Sequence, residues 1–246
     1  MEENNSAIVK NTSLSIENWG KSHFLSNQEA SDISQDDDVR EFKIILIGSP
    51  SVGKTSIFRK FTSEDFSINC KATITVESRI KYLKVDENLY VKLNLWDTCG
   101  AEKYLSLTRQ YYRDAQAAIL VFDLTDQNTF NDIKNIWLND IKNYGDKNTV
   151  IAIVGNKLDL IEKRKVTESQ VVNFCRENGF KYIETSAKEG TNILKIFEEL
   201  SFVLAKNEDK KKREGEKEKE KDKHYLVENY HDSNENIYHN KKSLCC

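Results

Sequence analysis

Gly48-Ser49-Pro50-Ser51-Val52-Gly53-Lys54-Thr55 reads G-x-x-x-x-G-K-T, set between the apolar run 42–47 and an apolar helix start at Ile57, Phe58 and Phe61. A buried strand delivered into a glycine-rich turn that opens a helix is the context a phosphate-binding loop needs. Glycines at 48 and 53 let backbone N–H groups close on phosphate oxygens, and the helix turns its positive end toward the same charge. Lys54 reaches the β- and γ-phosphates. The Thr55 hydroxyl is a ligand for Mg²⁺, a hard cation that stays on the substrate phosphates as well. The residues placed around the phosphates are Gly48, Ser51, Val52, Gly53, Lys54, Thr55 and Ser56.

A chain of 246 residues allows one substantial core with tails. A net charge of −3 lacks the basic footprint of a nucleic-acid binder. No apolar run approaches the roughly 20 residues that span a bilayer, and the start Met1-Glu2-Glu3 has none of the features of a signal peptide, so the expected compartment is the cytosol. Five cysteines form neither a disulfide framework nor a zinc spacing, and Cys70, Cys99 and Cys175 read as free thiols. His23, His224, His231 and His239 all fall in the expected tails, which leaves no histidine for acid, base or metal chemistry inside the domain.

Residues 1–40 are rich in Asn, Ser, Asp and Glu without helical or strand periodicity, and read as disordered, with Asp36-Asp37-Asp38 as a solvated spacer. From residue 42 strands and helices alternate. Strands are expected at 42–47, 74–85, 89–96, 117–122, 150–154 and 182–183, the second and third joined as a hairpin. Helices are expected to residue 61, through Phe130, Ile133, Ile136, Trp137 and Ile141, and at 168–177 and 193–204. Short apolar strands between amphipathic helices predict an α/β fold, a mainly parallel sheet covered on both faces with ligands at the carboxyl ends of its strands. Trp137, Phe174 and Phe197 are expected in the core.

Further motifs fall at those strand ends. Asp97 closes one strand and Gly100 follows, an acid suited to holding Mg²⁺ and a glycine whose N–H approaches the γ-phosphate. Asn156-Lys157-Leu158-Asp159 and Glu184-Thr185-Ser186-Ala187-Lys188 close two others. A carboxylate at Asp159 accepts from both the ring N–H and the exocyclic amine of guanine, a donor pair adenine does not present.

Over residues 42–205 these motifs, in this order, resemble the Ras-like small GTPases and, within them, the Rab branch. The resemblance implies a P-loop fold with a six-stranded, mainly parallel sheet, in a GTPase domain at 41–206 between an N-terminal extension at 1–40 and a variable tail at 207–246. It implies GTP or GDP with Mg²⁺, the base held by Asn156, Lys157 and Asp159 with Ser186, Ala187 and Lys188 in support. Phe66 matches the aromatic that covers the base edge. Thr73 matches the first-switch threonine, which joins Thr55 and Asp97 at the metal. Residues 66–76 and 97–112 become switches ordered by GTP, and Lys54, Thr73, Gly100 and position 101 are implied in hydrolysis. The ending Cys245-Cys246 is similar to the doubly geranylgeranylated end of Rabs, for which two chains make a stable anchor. The implied partners are an exchange factor, a GTPase-activating protein, effectors, a prenylation escort and a GDP-dissociation inhibitor. The implied location is the cytosolic face of endomembranes. Tyr111-Tyr112-Arg113-Asp114-Ala115 looks most like early-endosomal members.

The chain departs from that pattern at several positions. The second switch reads Trp96-Asp97-Thr98-Cys99-Gly100-Ala101-Glu102, with alanine where the family carries the water-positioning glutamine, and slow hydrolysis follows. Pro50 removes one N–H donor from the loop. Thr75 and Ser78 stand where glycine and an aromatic are usual, so that of the effector-facing aromatics only Trp96 and Tyr104 are present and the partners differ from the usual ones. Two other readings fit the residues: a scaffold that holds GTP almost permanently, and a P-loop ATPase or kinase, which Asp159 disfavours.

Overall fold

The computed structural model describes residues 23–63, 76–86, 89–98 and 105–242. Its centre is β2 (Asp38–Ile47), in which Ile44, Ile45, Leu46 and Ile47 have no exposed surface. A strand apolar on both faces is stable only when both faces are covered. It runs parallel to β4 (Leu89–Asp97) on one side and to β5 (Ala117–Asp123) on the other, and β6 (Val150–Asn156) and β7 (Lys181–Glu184) extend the parallel part. Beyond β4 lies β3 (Glu77–Asp86), antiparallel to it. Because β2, β4 and β5 run in register, Ile47, Asp97 and Leu120 arrive at the same end of the sheet, where ligands of open α/β sheets bind.

Ile45, Ile47, Ala118, Leu120, Phe122 and Ile153 share one core with Phe130, Ile133, Trp137, Ile141, Val171 and Cys175. These belong to a helix running through α4 (Gln127–Asp132), a π turn (Ile133–Trp137) and α5 (Leu138–Tyr144), and to α6 (Glu168–Asn178). Against the other face, α2 (Lys54–Ser63) packs on β2, β3 and β4. Phe61 of α2 stacks on Phe197 at a centroid distance of 3.8 Å. Phe197 lies on α7 (Ile193–Lys242). The expected core roles of Trp137 and Phe197 hold: they are 2% and 0% exposed.

Four expectations change. The sheet has seven strands rather than six, in the order β1-β3-β4-β2-β5-β6-β7. The extra strand comes from the N-terminal extension, whose residues 23–40 are described. There β1 (His23–Phe24) pairs with Leu83 and Lys84 of β3, the Leu25 N–H donates to the Tyr82 carbonyl at 2.8 Å, and the Phe24 ring meets Phe61 edge-on at 4.8 Å. Next comes α1 (Asn27–Ser31), opened by a Ser26/Glu29 capping box. His23 is therefore an exposed residue of the sheet edge rather than of a tail. Two residues carry no periodicity; their order comes from the neighbouring strand. The acidic cluster likewise has local partners: Asp37 Oδ2 accepts the Ser34 N–H at 2.7 Å, and Asp38 begins β2.

A helix not expected, α3 (Leu105–Tyr112), precedes β5. Finally, α7 continues to Lys242, whereas the expected helix ended at residue 204. The first compact unit ends at Leu204, and the second begins at Ala205. Within the second, Glu208 pairs with Lys212 and Lys210 with Glu214 at helical spacing, contacts worth about 0.3–0.5 kcal/mol each.

Candidate nucleotide site

The phosphate loop leaves β2 at Gly48, with φ of 145°, and enters α2 after Gly53, with φ of 101°. Both glycines are required by space as well as by dihedral. A Cβ on Gly48 would lie 2.2 Å from the Val121 carbonyl oxygen, and one on Gly53 would lie 2.2 Å from Asn156 Nδ2. Between them Ser51 takes a left-handed φ of 61° without being glycine, a strained conformation of the kind that collects at binding loops. Lys54 folds back over the loop. Its Nζ donates to the carbonyls of Gly48 at 2.8 Å and Ser49 at 3.0 Å, and the residue is only 5% exposed. A buried ammonium anchored on two carbonyl dipoles of the loop brings a positive charge to the place where phosphates would lie.

At the first turn of α2, Thr55 Oγ1 donates to Asp97 Oδ2 at 2.6 Å. The other Asp97 oxygen, Oδ1, is buried without a hydrogen-bond partner. Burial pushes this carboxyl up to about 6, against the hydrogen bond from Thr55 and the nearby charge of Lys54. An orphaned carboxylate oxygen beside a hydroxyl is a hard-oxygen corner that fits Mg²⁺. Thr98 fixes the strand end by donating to the Leu46 carbonyl at 2.7 Å.

The corner where the base is expected is built by Asn156. Its Nδ2 donates to the Val52 carbonyl at 2.9 Å, and its Oδ1 accepts from the Ala187 N–H at 3.1 Å and from Thr185 Oγ1 at 3.2 Å. One buried side chain at the end of β6 thus clasps the phosphate loop to residues 185–187 after β7. Lys157 holds a left-handed φ of 70°, with Nζ on Asp123 Oδ2 at 2.7 Å. Asp159 is aimed by Ser186 Oγ, which donates to Oδ1 at 2.7 Å, while Lys188 Nζ stands 3.9 Å from Oδ2. Outside this ring Glu184 accepts both arms of the Arg164 guanidinium and the Tyr182 hydroxyl. Burial raises the Glu184 carboxyl, but these bonds outweigh it and leave it below its ordinary value.

A model of the Ras family matches residues 43–206. Among curated relatives, the Ras-related protein YPTC6 of Chlamydomonas reinhardtii is 37% identical over 209 residues, 83% of this chain and 94% of that one. Rab11A of Lotus japonicus is 42% identical over 156 residues, 63% and 68% of the two chains. The GTP-binding protein ypt3 of Schizosaccharomyces pombe is 39% identical over 157 residues, 64% and 72%. The chain belongs to the Rab branch of the Ras family. It is therefore a small GTPase that binds GTP or GDP with Mg²⁺ and serves as a switch in vesicle traffic.

For this Rab the structure brings Gly48, Ser51, Val52, Gly53, Lys54, Thr55 and Asp97 together with Asn156, Lys157, Asp159, Ser186, Ala187 and Lys188 at one end of the sheet. Phe66, Thr73, Thr75, Gly100, Ala101 and Tyr104 lie outside the described residues, as do Cys70, Cys99, Cys245 and Cys246. Ser78, on β3, is exposed and pairs across the sheet with Trp96. Cys175 is a free, buried thiol that burial pushes up to about 12, so it is inert. Asp123, Thr185, Glu184 and Arg164 also support the site. Glu184 and Thr185 sit inside the motif at 184–188, but nothing in the local sequence marks Arg164.

Proposed function

We propose that this Rab is a slow-release switch, one that turns over GTP poorly by itself and stays long in its GTP state. The observation that carries it is Ala101, standing two residues after Cys99 in the second-switch motif. A methyl group neither donates nor accepts a hydrogen bond, so it cannot orient the attacking water. The rest of the machinery supports turnover by positioning and electrostatics. Lys54 is held ready over the loop for the β- and γ-phosphates. Thr55 and Asp97, with Thr73, hold Mg²⁺, which when bound neutralises phosphate charge. Gly100 offers its N–H to the γ-phosphate. Asn156, Lys157 and Asp159 select guanine, with Phe66 over its edge and Ser186, Ala187 and Lys188 behind.

The switch is read on the cytosolic face of an endomembrane, of endosomal type by the 111–115 stretch. No helix among the described residues is long and apolar enough to cross a membrane. Attachment is by geranylgeranyl groups on Cys245 and Cys246, so the chain needs a prenylation escort and a GDP-dissociation inhibitor. An exchange factor and a GTPase-activating protein set its cycle. Its effectors differ from the usual ones because Thr75 and Ser78 replace the glycine and aromatic of the first switch. A second reading, a membrane scaffold that is almost always GTP-bound, is favoured by the same alanine.

Single-turnover hydrolysis of Mg²⁺·GTP separates these readings. Ala101→Gln is expected to hydrolyse about tenfold or more faster than the parent, since a positioned water is worth at least that much. Equal rates overturn the assignment of slowness to Ala101. A parent rate too small to measure over a day favours the scaffold.

A further inference from the structure

Ser49, the second residue of the phosphate loop, uses its hydroxyl in two directions. Its Oγ donates to Asp132 Oδ2 at 2.7 Å and accepts from Trp137 Nε1 at 3.1 Å. Ser49 and Trp137 are 6% and 2% exposed, so water competes poorly for the bond between them. The carbonyl of the same serine accepts from Lys54 Nζ at 3.0 Å. A continuous chain of bonds therefore runs from the helix through one loop residue to the lysine.

Asp132 and Trp137 are five residues apart. In an α-helix, about 100° of rotation per residue sets such a pair about 140° apart around the axis, facing different neighbours. Here Asp132 is the residue directly before the π turn Ile133–Trp137. The i-to-i+5 bonding of a π turn brings residues five apart nearly one above the other. That turn lets the carboxylate and the indole N–H converge on one hydroxyl. Trp137 is a core residue by burial, but its single polar atom is spent on the phosphate loop.

We propose that Asp132 and Trp137 are positioning residues for the β-phosphate of the nucleotide, acting through Ser49 on Lys54, with the π turn as the device that aims them. The inference rests on Lys54 gripping the β- and γ-phosphates. The chain of bonds does not include Asn156, Asp159 or Ser186, so loosening it weakens the hold on the β-phosphate and leaves guanine recognition alone.

The test uses the full chain, with GDP and GMP affinities measured by titration calorimetry for the parent, Ser49→Ala, Trp137→Phe and the double variant. GMP keeps the base, ribose and α-phosphate but lacks the β-phosphate. Each single variant is expected to bind GDP about five- to tenfold more weakly, as fits one lost hydrogen bond, with GMP affinity within about twofold of the parent. The double variant is expected to be little worse than either single, because both remove the same chain of bonds. Ser49→Ala deletes one oxygen and carries the test even if Trp137→Phe disturbs packing. An unchanged GDP affinity, or equal losses for GDP and GMP, overturns the proposal. Lys54→Ala, run beside them, keeps the two claims apart. If it loses GDP and GMP equally, the placement of Lys54 falls; if its loss is confined to GDP while Ser49→Ala shows none, only the inference falls.

Discussion

Replacing Asn156 by alanine removes three hydrogen bonds at once from a residue that is 2% exposed. The Val52 carbonyl and the Ala187 N–H are left buried without that partner, whereas Thr185 Oγ1 has a longer fallback at 3.5 Å to the Gly155 carbonyl. At about 1 kcal/mol net per bond, with a further 1 kcal/mol or so for the two stranded groups, the loss is about 3–4 kcal/mol. That is a large share of the roughly 5–15 kcal/mol that holds a domain together, yet it leaves the chain folded in dilute buffer. The assay is urea unfolding after removal of nucleotide with EDTA, so that lost ligand binding does not enter the measurement. With a slope of about 2 kcal/mol/M, the midpoint is expected to fall by about 1.5–2 M. A fall of less than about 0.5 M refutes the reasoning, because it means that the clasp adds no net stability and Asn156 matters only to the bound base.

Gly53→Ala, with φ of 101° and a Cβ 2.2 Å from Asn156 Nδ2, is expected to cost about 3 kcal/mol by urea unfolding. Gly179→Ala, with φ of 71° and nothing within 4 Å of its Cβ, is expected to cost only about 1 kcal/mol; similar losses at the two sites remove the steric argument. The Glu184 carboxyl lies below its ordinary value of 4.5 in the folded chain, so the stability it contributes is present above that pH and is lost as pH falls through the folded value. Arg164→Ala is expected to cost about 1 kcal/mol at pH 7, allowing for solvent screening of a partly exposed pair, and to flatten the stability profile below about pH 5. An acid limb of unchanged steepness assigns that loss to other carboxyls. Cys175, with its thiol pushed up to about 12, is expected to resist iodoacetamide at pH 8 in the native protein and to react fully in urea, as read by peptide mass spectrometry; native labelling means that the α6 side of the core opens readily.

Much of the site is legible as text because its chemistry is local. Residues 48–55 lie within one turn and one helix start, and a glycine at 53 or a lysine at 54 has few other reasons to stand there. The same holds for Asn156-Lys157-Leu158-Asp159, whose residues share one strand end. The parallel strands were visible for a related reason: β5, buried along all seven residues, is apolar without interruption from Ala117 to Phe122. What stayed hidden depends on distant neighbours. Strand β1 is two residues long and owes its order to β3 and to the Phe61 ring, neither adjacent in sequence. The bonds from Ser49 span 83 and 88 residues to Asp132 and Trp137, and the apolar spacing of that helix does not distinguish a π turn from an α-helix.

By itself, then, the sequence determined the nucleotide class, the parallel core and the missing glutamine, because each is written in side chains that act within a few residues or by their mere identity. Tertiary structure alone decided which side chains meet: that Asn156 clasps the phosphate loop to the chain after β7, that an N-terminal segment closes the sheet edge, and that a π turn reaches the phosphate loop. Those outcomes depend on distances between segments, and only packing fixes such distances.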